Sequence, residues 1–134
     1  MKVFGDTSGF LAVLDADDPN HTKATNVWSY MGAQAALVVT SNYVVVETTA
    51  LLHHRGGISQ VRRFYEDVLG ITAVQWIDTG IHATAFGELL KGSRRGPSIV
   101  DLTSFILMRQ RGLRLALAFD RHFVERGFRL PLTS

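Results

Sequence analysis

The sequence predicts an α/β fold: one central, mainly parallel sheet with helices on both faces. Three observations carry this. Short apolar or β-branched runs alternate with longer stretches of helical periodicity along the whole chain. No two of the short runs are joined by a hairpin signal, so consecutive strands are reached by crossovers, which favours parallel pairing. The chain has 134 residues, 46% hydrophobic and 19% charged, which suits one domain with one proper core. There is no internal repeat, linker or low-complexity segment, so residues 1–134 read as a single domain.

The elements follow in order. Lys2-Val3-Phe4-Gly5 is a buried strand that stops at Asp6-Thr7-Ser8, a helix start. Gly9–Leu14 gives a short first helix. Asp15–Pro19 is a turn, with Asp18 as cap and Pro19 at the first helical position. The next helix runs from about His21 through Tyr30 and turns Ala24, Val27, Trp28 and Met31 inward. Leu37-Val38-Val39 is the second strand. Ser41 or Asn42 caps a helix that passes through Glu47 to about His54, and Gly56-Gly57 stops it. Ser59 starts another helix, with Val61, Phe64, Tyr65, Val68 and Leu69 at helical spacing, and Gly70 ends it. Ile71–Ile77 is β-branched and aromatic, hence a strand. Thr79 caps a helix through Leu90. Lys91–Pro97 is a basic, Gly-rich loop. Ser98–Arg111 is a helix apolar on nearly every turn and stopped at Gly112. Leu113–Phe119 is a strand ending at Asp120, a short helix follows to Glu125, and Gly127–Leu130 is a last edge strand.

Composition excludes several chemistries. With no cysteine, there is no disulfide framework, no Cys-based zinc site and no thiol nucleophile. Met1–Asp6 meets an acid before any long apolar run, unlike a signal peptide. The apolar runs are far shorter than the roughly 20 residues that cross a bilayer. No membrane association and a cytoplasmic location are therefore expected. The five histidines show no zinc spacing: His53 and His54 are adjacent and diverge on a helix, while His21, His82 and His122 stand far apart. No P-loop or nucleophile elbow occurs.

Four acids remain to be explained. Glu47 is flanked on its helix by Tyr43, Val44, Ala50 and Leu51, which places it on an inward face, where an unpaired carboxylate is costly. The plain alternative is an acid at the margin of the apolar stripe, or one paired with an arginine. Asp101 sits near the start of the most apolar helix; the helix dipole alone explains a first-turn acid equally well. Asp6 and Asp120 each follow an apolar strand and precede a helix. Taken singly, each is best explained as an N-cap. Taken together they change the balance, because the carboxyl ends of parallel strands are where ligands bind. Four clustered carboxylates repel unless a cation joins them, and an all-oxygen set suits Mg²⁺ or Mn²⁺. Formal net charge is +2, but 11 of the 14 bases are arginine. With four of the 12 acids committed to a cation, the remaining surface carries six more bases than acids, which would attract a polyanion.

These residues resemble the PIN-domain ribonucleases, specifically the small toxins of VapBC-type toxin–antitoxin pairs. The resemblance covers essentially the whole chain. It rests on Asp6-Thr7-Ser8 after the first strand, Ser41–Glu47, Ser98-x-x-Asp101 with Ser104-Phe105, and Phe119-Asp120-Arg121-His122-Phe123. It implies a PIN-like three-layer α/β/α sandwich and a Mg²⁺- or Mn²⁺-dependent endoribonuclease. It also implies a homodimer and a cognate antitoxin protein. Asp6, Glu47, Asp101 and Asp120 would form the catalytic, metal-binding set, with Asp6 and Asp101 as direct ligands. Ser8 and Ser104 would supply hydrogen bonds, and Arg94, Arg95 and Arg121 are candidates for contacts to RNA phosphates.

Two other readings stay open. A phosphoryl-transfer or receiver-type protein also places an aspartate after its first strand. Asp6-Thr7-Ser8 lacks the second carboxylate of a phosphatase motif, and Lys91, the only lysine after residue 23, follows no strand. A non-catalytic nucleic-acid- or partner-binding module is the other. Four retained acids weigh against it, since binding RNA alone favours removing negative charge from the groove.

Overall fold

The computed structural model describes residues 1–131; the last three residues of the expected single domain lie outside them. Four strands form one all-parallel sheet: β1 (Lys2–Gly5), β2 (Leu37–Ser41), β3 (Thr72–Gln75) and β4 (Leu115–Leu117), in the order β3-β2-β1-β4. Phe4 pairs with Val39 on one side and Ala116 on the other, so β1 is fully interior, and Val3 and Phe4 are completely buried.

The helices are α1 (Thr7–Leu14), α2 (His21–Ala33), α3 (Asn42–Arg63), α4 (Thr79–Lys91), α5 (Ile99–Gln110) and α6 (Arg121–Glu125). The chain steps from β1 to β2 to β3 in one direction, then returns past all three to place β4 beside β1. Parallel strands joined by the usual right-handed crossovers put α1–α3 on one face and α4–α5 on the other. Within these layers α1 packs on α2 and α3, and α4 on α5. The direction of winding reverses between β1 and β4. In open parallel sheets that reversal leaves a crevice at the carboxyl ends of the strands.

Several boundaries differ from those the sequence suggests, each for a local reason. Gly56 stays helical. Only Gly57 leaves the helix, at φ 72°, and the chain resumes helix at once, so α3 is one kinked run rather than two helices. A π turn over Phe64–Val68 then shifts the helical phase: Phe64 and Val68 are buried, but Tyr65 is turned outward. The Asp18 carboxylate accepts the Asn20 N–H at 2.8 Å, and this turn holds Pro19 outside α2, which starts at His21. Asp78, not Thr79, caps α4, accepting the Ile81 N–H at 2.8 Å. The expected last strand shrinks to a single bridge between Leu115 and Arg129.

Candidate active site

Asp6 and Asp120 follow β1 and β4, the two strands that flank the winding reversal. The Asp6 N–H donates to the Leu117 carbonyl at 3.1 Å, which ties the end of β1 to the end of β4. Gly9 lets the first turn of α1 come in against the same carbonyl: a Cβ there would lie 2.0 Å from the Leu117 oxygen. Ser8 completes the junction. Its hydroxyl donates to Asp6 Oδ2 at 2.6 Å and accepts the Phe119 N–H at 2.9 Å. The expectation for Asp101 as a first-turn acid also holds in full. Ser98 and Asp101 form a reciprocal capping box, each side chain accepting the other's backbone N–H at 3.1 Å.

All three aspartates share one division of labour. Asp6 uses Oδ2 for Ser8, Asp101 uses Oδ2 for the Ser98 N–H, and Asp120 uses Oδ1 for the His122 N–H. The second oxygen of each takes no hydrogen bond among the described residues. Capping and ligation therefore do not compete: one oxygen fixes the rotamer and the other is left to point elsewhere. Glu47, one turn beyond Tyr43 on α3, is half-buried rather than fully inward and makes no hydrogen bond or ion pair among the described residues.

Two of the four acids, Asp6 and Asp101, carry shifted ionisation. Asp6 is pushed up from 3.8 to about 7, first by burial and then by the Asp101 and Glu47 charges, against the lowering effect of its bonds from Ser8. Asp101 is also raised, by burial and by the Asp120 and Glu47 charges, while its bonds with Ser98 pull it down. No arginine, lysine or histidine makes an ion pair with any of the four among the described residues. The cluster is thus a pocket of uncompensated negative charge, partly held off by protonation, and a cation would relieve it.

Among the described residues no three acidic or histidine side chains stand close enough together to hold a metal ion between them. The structure therefore leaves the expected Mg²⁺ or Mn²⁺ site untested. By donor chemistry alone, the carboxylate oxygens left without hydrogen bonds are hard donors of the kind such an ion takes.

The remaining predicted residues fall in different places. Ser8 bonds Asp6 directly. Ser104 is fully buried one turn after Asp101, but its hydroxyl donates within α5 to the Val100 carbonyl at 2.9 Å. Arg94 and Arg95 are exposed in the α4–α5 loop, and Arg121 is exposed and pairs with Glu125 at 3.3 Å. Sequence reasoning missed the buried Thr7–Thr48 pair, whose hydroxyls meet at 3.0 Å and join the starts of α1 and α3 beside Glu47. It also missed the hydrogen bond between the Tyr43 hydroxyl and His82 at the same edge. Nothing in spacing marks either pair. An apolar cleft at the amino ends of the strands, lined by Leu37, Ile71 and Leu113 among others, holds none of the acids.

Residues 3–129 match the PIN domain family. Over 127 residues the chain is 33% identical to the 23S rRNA-specific endonuclease VapC20 of Mycobacterium tuberculosis, in strains CDC 1551 / Oshkosh and ATCC 25618 / H37Rv, covering 94% of this chain and 95% of that protein. The crystal structure of Mycobacterium tuberculosis VapC20, described as a Sarcin-Ricin loop cleaving toxin, superposes with a TM-score of 0.83 at 32% identity, covering 94% of this chain and 95% of that one.

Proposed function

The chain belongs to the PIN-domain family, and we propose that it is a Mg²⁺- or Mn²⁺-dependent endoribonuclease, the toxin of a VapBC-type toxin–antitoxin pair. The observation that carries this is geometric: Asp6 and Asp120 follow the two strands that flank the winding reversal, and they and Asp101 are each fixed through one carboxylate oxygen, with the other oxygen unbonded among the described residues. The likeness to VapC20 supports an RNA substrate and makes a ribosomal RNA loop the first one to test. An antitoxin partner, a homodimer and a cytoplasmic site of action are part of the same proposal and rest on the family resemblance alone. No helix among the described residues is long and apolar enough to cross a membrane.

Asp6 and Asp101 would hold the cation through their free oxygens. Glu47 would hold it through water or orient the attacking water, and Asp120 would complete the shell or hold a second ion. A bound divalent ion lowers the pKa of a water and offsets charge on the phosphate. The chain's own residues do the positioning. Ser8, the Ser98 N–H and the His122 N–H each pin one aspartate, so little side-chain freedom is lost when the site fills. Glu47, free of other bonds, is the carboxylate available to take a hydrogen bond from the nucleophile.

Asp101→Asn tests this. The asparagine oxygen can still accept the Ser98 N–H, so the helix start survives while the ligand charge is lost. Cleavage of RNA by purified protein with Mg²⁺ or Mn²⁺ is expected to fall at least a hundredfold, with thermal unfolding little changed. Full activity in the variant would remove Asp101 from the reaction. RNA binding that ignores EDTA, without cleavage by the parent protein, would favour the non-catalytic module.

A further inference from the structure

A groove of about 400 Å³ opens directly beside Asp120, along the outer strand β4. That volume lies within the usual range of ligand clefts. Its floor is apolar, built on buried Ala116, Ala118 and Phe123, with half-buried Phe119 at the edge next to Asp120. Its rim is basic. Lys23 comes from α2, Arg121 from α6 and Arg129 from the segment that bridges to β4. Apart from Asp120 itself, the groove is lined by no acid. Lys23 and Arg129 are exposed and pair with no carboxylate among the described residues.

This combination is fold-made: residues 23, 121 and 129 meet only because β4 lies beside β1. Cations without a carboxylate partner among the described residues, over an apolar and aromatic floor, match an unpaired nucleotide. The cations take the phosphate and the base lies flat on the floor. Continuity with Asp120 sets where such a nucleotide would sit. We propose that this groove seats the unpaired nucleotide next to the scissile phosphate, with its base against Phe119 and its phosphate on Lys23 and Arg129. The inference rests on the ribonuclease reading above and adds to it where the strand leaves the acids. An acidic peptide would also meet these cations, but it gives no reason for the flat apolar floor beside Asp120.

The test uses the full chain with Lys23→Ala and Arg129→Ala combined. Both side chains are exposed, so unfolding should be unchanged. For a single-stranded RNA that spans the cut, with Mn²⁺ present, KM is expected to rise about tenfold with kcat within twofold. In the Asp101→Asn background, anisotropy with the same labelled RNA should show a comparable loss of affinity. The slope of log affinity against log salt should fall by about one to two. An RNA trimmed to the cut on one side should respond little to the double substitution. Unchanged KM and affinity, in a protein that still cleaves, would overturn the groove and leave the nuclease reading intact. A parent protein that does not cleave, but whose RNA binding drops with the double substitution, would sustain the groove and overturn the nuclease reading. Weaker binding of polyglutamate with RNA binding unchanged would assign the groove to a protein partner and overturn the proposal.

Discussion

Asp6 is buried, and its ionisation is set by burial more than by any single charge. An unfolded aspartate titrates near 3.8, whereas folded Asp6 titrates at about 7. Across that window the native chain holds a proton that the unfolded chain has released. The contribution of this group to stability is therefore complete below pH 3.8 and is lost as pH rises towards 7. Asp101 is shifted in the same direction and adds to the loss. In EDTA, the parent protein should become less stable to urea between pH 4.5 and 7.5. Asp6→Asn should flatten that slope. Equal slopes in the two proteins would show that Asp6 is not the group being charged at a cost. Ser8 works against the shift. Its hydroxyl holds the Asp6 charge and also satisfies the Phe119 N–H. Ser8→Ala should cost about 1–3 kcal/mol in urea unfolding, the usual cost of leaving a buried polar group unmet. It should also move the Asp6 pKa further up.

Element starts and stops were mostly legible because their chemistry is local. An acid after an apolar run specifies a cap from within three residues, and Asp6 behaves as read; Ser98, read as the first helical residue, is instead the N-cap of α5. Phase was not legible where non-local packing set it. The π turn at Phe64–Val68 leaves no mark in residue type, so helical spacing alone does not separate exposed Tyr65 from buried Phe64 and Val68. The two glycines that matter here act by different physics, and substitution separates them. Gly57 sits at φ 72° and ψ −165°, a region open essentially only to glycine, with open space where a Cβ would go, so Gly57→Ala should cost about 1–3 kcal/mol of backbone strain and nothing from crowding. Gly9 has ordinary helical geometry, but a Cβ there would meet the Leu117 backbone, which cannot rotate away. Gly9→Ala should cost more than about 3 kcal/mol in chemical unfolding. It should lower activity too, because it separates Asp6 from the β4 end. A cost for Gly9→Ala no larger than for Gly57→Ala would mean that the α1–β4 junction is looser than described.

At the scale of the whole molecule, strand order does what no motif can. The sequence showed alternating strands and helices, and four acids placed dozens of residues apart. It did not show that β4 returns to lie beside β1, and that return brings Asp120 to the acids and Lys23 to Arg129. Resemblance of motif order supplied the convergence that spacing lacked. The fold accounts for part of it: Asp6 and Asp120 stand at the carboxyl ends of β1 and β4, where the winding reverses, while Glu47 and Asp101 are carried on α3 and α5. A cation bound only by the native chain should stabilise it by mass action, by about 2.7 kcal/mol at a hundred times its Kd. Thermal unfolding with Mn²⁺ should show this gain in the parent and not in Asp101→Asn.

The most direct measurement is an anomalous difference map from crystals soaked in Mn²⁺. A peak is expected between β1 and β4, with carboxylate oxygens of Asp6 and Asp101 at about 2.0–2.3 Å, near the usual bond lengths for such ions. No peak there at saturating Mn²⁺, or a peak only at a site away from these carboxylates, would contradict the account.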